Sequence, residues 1–265
     1  MKRTHLALLL LFFISLPVQA GWVLKVKTYY ADSEEATSKT IYFQNNVIKV
    51  VEPQLTTIYD LNQSLLTFLK PQIQMYWKGH LEDYRDELNE TLQMMIDIEV
   101  SKLPDNQKEE ARKMLETMLR IMENPDTTSS LDISIRETGE SETILDYKTR
   151  KYQVFLNGVI TEDLWIPDDF DVSQDLDFGK FLICLSHLRT GFENELLYQT
   201  SPAYRAIIED TYILRTKEYH AGYQTIKEVT NIQETELNDS EFLPPEGYKP
   251  ASLSELGIIQ TSEEE

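Results

Sequence analysis

Few residues in this chain stand where catalysis or metal binding would need them. His80, His187 and His220, the histidines beyond residue 20, are too far apart to form a local zinc motif, and Cys184, the single cysteine, cannot extend one. No metal and no cofactor is expected. Asp169-Phe170-Asp171-Val172-Ser173 opens like a calcium loop but lacks the glycine at its sixth position and the glutamate that closes it. It reads instead as an acidic turn ahead of a helix. Ser186 and His187 are adjacent in an expected helix, where successive side chains point about 100° apart, so they cannot act as nucleophile and base. Glu34-Glu35 and Glu109-Glu110 are carboxylate pairs of the kind that can do acid-base work, but in a chain this acidic they read as solvated faces. Asn62, Asn89 and Asn238 match the glycosylation acceptor pattern. With no phosphate loop, dinucleotide fingerprint or nucleophile elbow, no catalytic residue is assigned and a non-enzyme is expected.

What does stand out is apolar. Met94, Met95, Met114, Met118 and Met122 recur at helical spacing, and methionine is the flexible side chain that repacks against varied apolar partners. Two readings are open, a lid over an apolar ligand or ordinary helix packing. Strand alternation puts Trp22, Leu24, Val26, Phe43, Met75 and Trp77 on one face. These six, with Met114 and Met118 from the helices, are the candidate ligand-binding residues. If the sheet closes, such residues fill it; if it stays open, they line a pocket.

The elements that must position them follow from periodicity. Residues 21–77 alternate in short runs separated by Asn45-Asn46, Glu52-Pro53, Asn62-Gln63 and Lys70-Pro71, which reads as an antiparallel meander with a last strand near 72–76. From 80 to 124 the period becomes helical, broken at Pro104-Asp105, giving an αα-hairpin. Period two returns after Ser130, with runs at 144–147, 151–156 and 159–166 and a strong turn signal at Asn157-Gly158. Helices near 174–188 and 201–209 and two strands at 211–217 and 223–236 complete the pattern. The fold class is α+β: a strongly curved antiparallel sheet, an open half-barrel, with an inserted helical hairpin and further helices packed on it. One domain over 21–250, with the insertion at 80–124 and a polar tail at 251–265, is the leading organisation. Two domains parting near 124–130 is the alternative.

Residues 1–20 carry Lys2-Arg3, an apolar run over 6–16 and a Pro17-Val18-Gln19-Ala20 exit, the pattern of a secretory signal peptide cleaved after Ala20. The run is shorter than the roughly 20 residues a membrane span needs, so no transmembrane anchor is expected after cleavage. Cleavage takes two of the 25 basic residues and no acid, leaving 23 against 45 and a net charge of −22. Nucleic acid is thereby excluded as a partner. A lone cysteine cannot form an internal disulfide in an oxidising compartment, and its neighbours Leu182, Ile183 and Leu185 suit a buried thiol.

Three stretches together carry a family likeness: Thr57-Ile58-Tyr59-Asp60-Leu61 with Pro71 and Tyr76-Trp77; 151–158 leading to Leu164-Trp165-Ile166-Pro167; and Phe242-Leu243-Pro244-Pro245-Glu246-Gly247-Tyr248. They resemble a family of secreted bacterial proteins known as a domain of unknown function, similar in fold to the outer-membrane lipoprotein carrier (LolA-like) group. The resemblance implies a half-barrel whose concave apolar face, in the carriers, holds acyl chains under helices. The long hairpin and the lack of a basic groove depart from the carriers, and no functional residue is carried over. The expected function is a periplasmic or secreted binding protein for a lipid or lipoprotein acyl chain. The alternative is an envelope protein-protein interaction or sensor scaffold with no small ligand.

Overall fold

The computed structural model of the chain describes residues 20–33, 35–123, 132–188 and 198–258. Apart from Ala20 the expected leader lies outside them, as do the 124–130 segment where two domains would part and the end of the tail. Six strands come first: β1 (Ala20–Tyr30), β2 (Ala36–Gln44), β3 (Val47–Val51), β4 (Thr56–Asp60), β5 (Leu65–Lys70) and β6 (Met75–His80), each antiparallel to the one before. Asn45 and Asn46 take φ of 52° and 61°, a two-residue turn whose twist matches that of the strands it joins. The last of these strands starts three residues later than its apolar pattern suggests. Pro71 has no N–H to offer a ladder and Gln74 takes a left-handed φ of 54°, so 71–74 form the turn.

The hairpin follows as α1 (Leu81–Ser101) and α2 (Asp105–Glu123). Its entry is fixed locally: the Asp83 carboxylate accepts the His80 N–H at 2.7 Å, satisfying one donor that the first turn leaves unpaired. Tyr84, Leu88, Ile96 and Val100 form the buried face of α1, which rests on β5, β6 and a later helix. Arg112 on α2 reaches back to Asp97 on α1 at 2.5 Å.

Beyond the hairpin run β7 (Ile133–Ile144), β8 (Tyr147–Leu156) and β9 (Val159–Pro167), then α3 (Phe178–His187), α4 (Pro202–Ile208), β10 (Arg215–His220), β11 (Tyr223–Glu236) and a two-residue β12 (Lys249–Pro250) parallel to β6. Asn157 and Gly158 make the expected turn at φ of 51° and 77°. Residues 144–147 are not a strand of their own. Leu145 bends back at φ 52° and joins two long strands where no Asn-Gly signal marks the turn.

The twelve strands of the described residues form one sheet in the order β12-β6-β5-β4-β3-β2-β1-β11-β10-β9-β8-β7. The chain meanders from the centre to one edge, crosses by way of the hairpin to the far edge, and meanders back until β11 zips against β1. That central pair runs from Ala20↔Glu236 to Tyr30↔Thr225 with one bulge at Lys25/Val26. The sheet is open and curved, with its helices and the main core on one side, as the α+β reading expects. No described helix is long and apolar enough to cross a membrane.

Candidate functional site

The helices α3 and α4 do not close completely onto the concave face. Between them and the sheet lies a cavity of about 300 Å³, at the small end of the roughly 300–1,000 Å³ typical of small-molecule sites. Its roof is set by two capped helices. The Asp177 carboxylate accepts the Lys180 N–H at 2.9 Å and starts α3, which turns Phe178, Phe181, Leu182 and Leu185 toward the sheet. Ser201 accepts the Tyr204 N–H at 3.2 Å, and Pro202 occupies the first turn, where its missing N–H costs nothing; α4 then presents Tyr204 and Ile208 to the cavity. The floor is Val26 of β1, Ile41 of β2, Ile48 and Val50 of β3, Tyr59 of β4 and Val229 of β11. Tyr59 meets Phe181 edge to face at 5.2 Å, tying floor to roof.

One end of the cavity is polar. Glu162 on β9 and Glu218 on β10 are directly opposed across the ladder and both line the space, with Lys227 of β11, Thr216 of β10 and Lys39 of β2. Glu162 is fully buried. Its Oε2 accepts two phenol donors, Tyr198 Oη at 3.2 Å and Tyr204 Oη at 3.1 Å. Its Oε1 has no hydrogen-bond partner among the described residues, and neither has the Thr216 hydroxyl. Burial, with the Glu218 charge adding to it, pushes the Glu162 carboxyl up to about 8, against weaker opposition from Lys227 and the two tyrosines. At neutral pH it is therefore a protonated acid. Because Oε2 already receives two donors, the proton belongs on Oε1, and the acid presents an O–H. Glu218 is ion-paired with Lys227 and lies 3.7 Å from His220 Nε2. Lys39 is pushed below its ordinary value by burial, partly offset by the charge of Glu52.

The eight residues singled out by alternation and helical spacing fall in three places. Val26 lines the cavity. Leu24 and Phe43 are fully buried beside it, Phe43 stacking 6.5 Å from Tyr212, itself a lining residue; Trp22 packs on Phe170 at 5.0 Å and donates to Asp175 at 2.9 Å. Met75 and Trp77 stand at the far end of the sheet, where Trp77 packs with Phe68 and Tyr84 and donates to Glu87 at 2.9 Å. Met114 is 59% exposed on α2, and the Met118 side chain lies outside the described residues. Among the described residues none of α1 or α2 lines the cavity, and the helices that do are α3 and α4. Cys184, half-buried in α3, has its thiol pushed up to about 11 by burial, which keeps it protonated and unreactive.

Sequence reasoning missed the polar end. The signal was present in β9, where Glu162 shares the parity of the apolar Leu164 and Ile166 and so must point inward with them. An acid at an inward position of a strand is rare enough to single out.

An open, curved α+β sheet with helices over its concave face and a cavity between them is the class this architecture defines. The family model described as a domain of unknown function (DUF4412) matches residues 87–248, more than half of the chain, and the chain belongs to that family. No curated protein matches it. Among solved structures it is similar to PNGF-II, at 8% identity and a TM-score of 0.38 over 90% of this chain, which spans 32% of that one. It is similar to a putative outer membrane lipoprotein-sorting protein domain from Vibrio parahaemolyticus, at 7% identity and a TM-score of 0.28, with 84% of this chain and 88% of that one covered. A DUF1329 family protein from Desulfovibrio piger is similar at 11% identity and a TM-score of 0.30, with 85% and 90% covered.

Proposed function

We propose that this chain is a non-enzymatic periplasmic or secreted binding protein that holds an apolar ligand, the acyl chain of a lipid or lipoprotein, between α3, α4 and the concave sheet. The observation that carries the reading is the cavity of about 300 Å³, walled mainly by aliphatic and aromatic side chains. The leader pattern of residues 1–20 supports export. Each acyl methylene buried would contribute about 0.8 kcal/mol, set against the cost of association. The test is native mass spectrometry of residues 21–265, purified from the periplasm without detergent, with solvent extraction of whatever it carries. A reproducible added mass that extracts as an acylated molecule is the expected result. Protein that arrives bare and also ignores fluorescent fatty acids would overturn the reading and favour an envelope interaction scaffold.

One observation favours a second reading. Glu162 and Glu218 face each other in an apolar space, and their surroundings hold the first as an acid while Lys227 pairs the second, an arrangement also found in acid-base catalysts. Turnover of aryl ester or glycoside probes that vanishes in Glu162→Gln would establish it; binding without turnover leaves the first reading in place.

A further inference from the structure

We infer that the cavity selects a neutral amphiphile, an aliphatic alcohol or ester, whose oxygen accepts a hydrogen bond from the Glu162 carboxyl while its hydrocarbon tail lies under α3 and α4. The inference rests on the binding-protein reading and names the ligand class of that same site.

Three features converge on it. Glu162 is fully buried, lines the cavity and has one carboxyl oxygen already saturated by Tyr198 and Tyr204 and the other without a partner among the described residues. A buried polar atom left unpaired costs about as much as a lost hydrogen bond, and a ligand atom that meets it recovers that cost. The second feature is direction. With the proton on Oε1 the acid is a donor, so the complementary ligand atom is an acceptor such as a hydroxyl, ester or amide oxygen. The third is charge. Beside Glu162, Lys227 is ion-paired with Glu218, whose other oxygen lies 3.7 Å from His220 Nε2, while Lys39 feels the charge of Glu52 but is in no ion pair among the described residues. A carboxylate or an ammonium brought up to Glu162 adds one charge that the Glu218–Lys227 pair beside it does not balance, and an unpaired buried charge is costly. A neutral oxygen adds none. The aliphatic remainder of the cavity, Leu176, Leu182, Ile208 and Val229 among its walls, then takes the tail.

The groups facing Glu162 are Tyr198, Tyr204 of α4, Glu218 of β10 and Lys227 of β11, and the carboxyl, raised to about 8, ionises well before the two tyrosines, whose values burial raises. Affinity for a neutral acceptor is therefore level below about pH 7 and falls as the acid loses its proton above about pH 8.

The experiment measures binding of 1-dodecanol, methyl dodecanoate, dodecylamine and dodecanoate by displacement of a fluorescent fatty-acid probe, at about pH 6 and about pH 9.5. Residues 21–265 are compared as wild type, Glu162→Gln and Glu162→Leu, with thermal unfolding to verify that each variant is folded. The alcohol and the ester are expected to bind about tenfold more tightly than either charged probe, the value of one good hydrogen bond, and to lose about tenfold at the higher pH. Glu162→Gln, whose amide also donates while its carbonyl serves the tyrosines, is expected to bind both within about threefold of wild type with the pH dependence gone. Glu162→Leu is expected to lose about tenfold for both. Dodecylamine binding tightest, and more tightly as pH rises, would overturn the inference in favour of an anionic Glu162. Equal affinity for all four probes in wild type and Glu162→Leu would also overturn it while leaving the apolar binding reading intact. Failure of every probe to bind in wild type would instead sink the underlying reading.

Discussion

Glu162 and Asp163 are neighbours on β9, both buried, and they point to opposite faces of the sheet. On the convex side Asp163 is saturated: Lys151 lies 3.3 Å away, Tyr219 donates at 2.8 Å and Gln153 at 3.1 Å. Trp165 sits under both Lys151 and Arg215, so the cluster is packed as well as paired. On the concave side Glu162 has one oxygen filled and, among the described residues, nothing bonded to the other, which stands beside a cavity. Neither acid is exposed, so burial does not separate them. The completeness of the hydrogen bonding does, and it distinguishes an acid that holds the sheet together from one that waits for something else.

The same acid-to-amide change should act with opposite sign on the two. Glu162 is raised to about 8 in the folded protein, above its unfolded value. Its stability contribution is therefore full below about pH 4, is lost progressively as pH rises toward about 8, and stays lost above it. Glu162→Gln removes that loss. At about pH 9 it should be more stable than wild type by an amount on the order of 3–5 kcal/mol, with the difference vanishing near pH 4. Urea unfolding at the two pH values measures it, and a pH-independent difference would mean that the acid is ionised and satisfied in the fold. Asp163→Asn, by contrast, takes from the Lys151 ammonium, at 15% side-chain exposure, the nearer of its two carboxylates and leaves it Glu140 at 3.4 Å, and should cost about 1–3 kcal/mol at neutral pH by the same assay. A cost below about 0.5 kcal/mol, the range of ordinary surface substitutions, would erase the contrast between the faces.

How far this was legible in the sequence differs between backbone and site. Asn45-Asn46 and Asn157-Gly158 supply the left-handed residues that tight hairpins require, and so the strands they join were readable; Leu145 bends just as sharply without such a residue, and its hairpin was not. The pairing of β1 with β11 joins residues about 200 positions apart, and no local signal encodes that distance. Strand parity correctly groups Trp22, Leu24, Val26 and Phe43, but it cannot say over which stretch of a twelve-stranded sheet the helices leave a space beneath them. The site is set by where α3 and α4 rest, and that is a tertiary fact.

The same contrast extends from single residues to the two ends of the sheet. Around β6 the concave face is filled to contact, with Phe68, Trp77 and Tyr84 packed ring on ring and Glu87 accepting from both the Trp77 indole and the Leu253 N–H. Gly79 belongs to that filling, since a Cβ there would stand 2.7 Å from two Trp77 ring carbons. Gly79→Ala should therefore cost about 1–3 kcal/mol, read as a lower thermal midpoint, and leave probe binding in the cavity unchanged. A loss of binding as large as the loss of stability would mean that the packed end and the cavity end respond as one.

The smallest effect is expected where the methionine-rich pattern drew most attention. Met114 lies on α2, 59% exposed, and α1 turns Tyr84, Leu88, Ile96 and Val100 inward onto the sheet rather than toward the cavity. A side chain in that position neither fills the core nor reaches the space under α3 and α4. Met114→Glu should shift stability by less than about 0.5 kcal/mol, the range of ordinary surface substitutions, and leave dodecanol affinity within about twofold, well under the tenfold that one hydrogen bond supplies. A larger loss of affinity without a loss of stability would place the hairpin over the ligand after all, because an added charge can act on binding only through a surface that the ligand or its entry path touches.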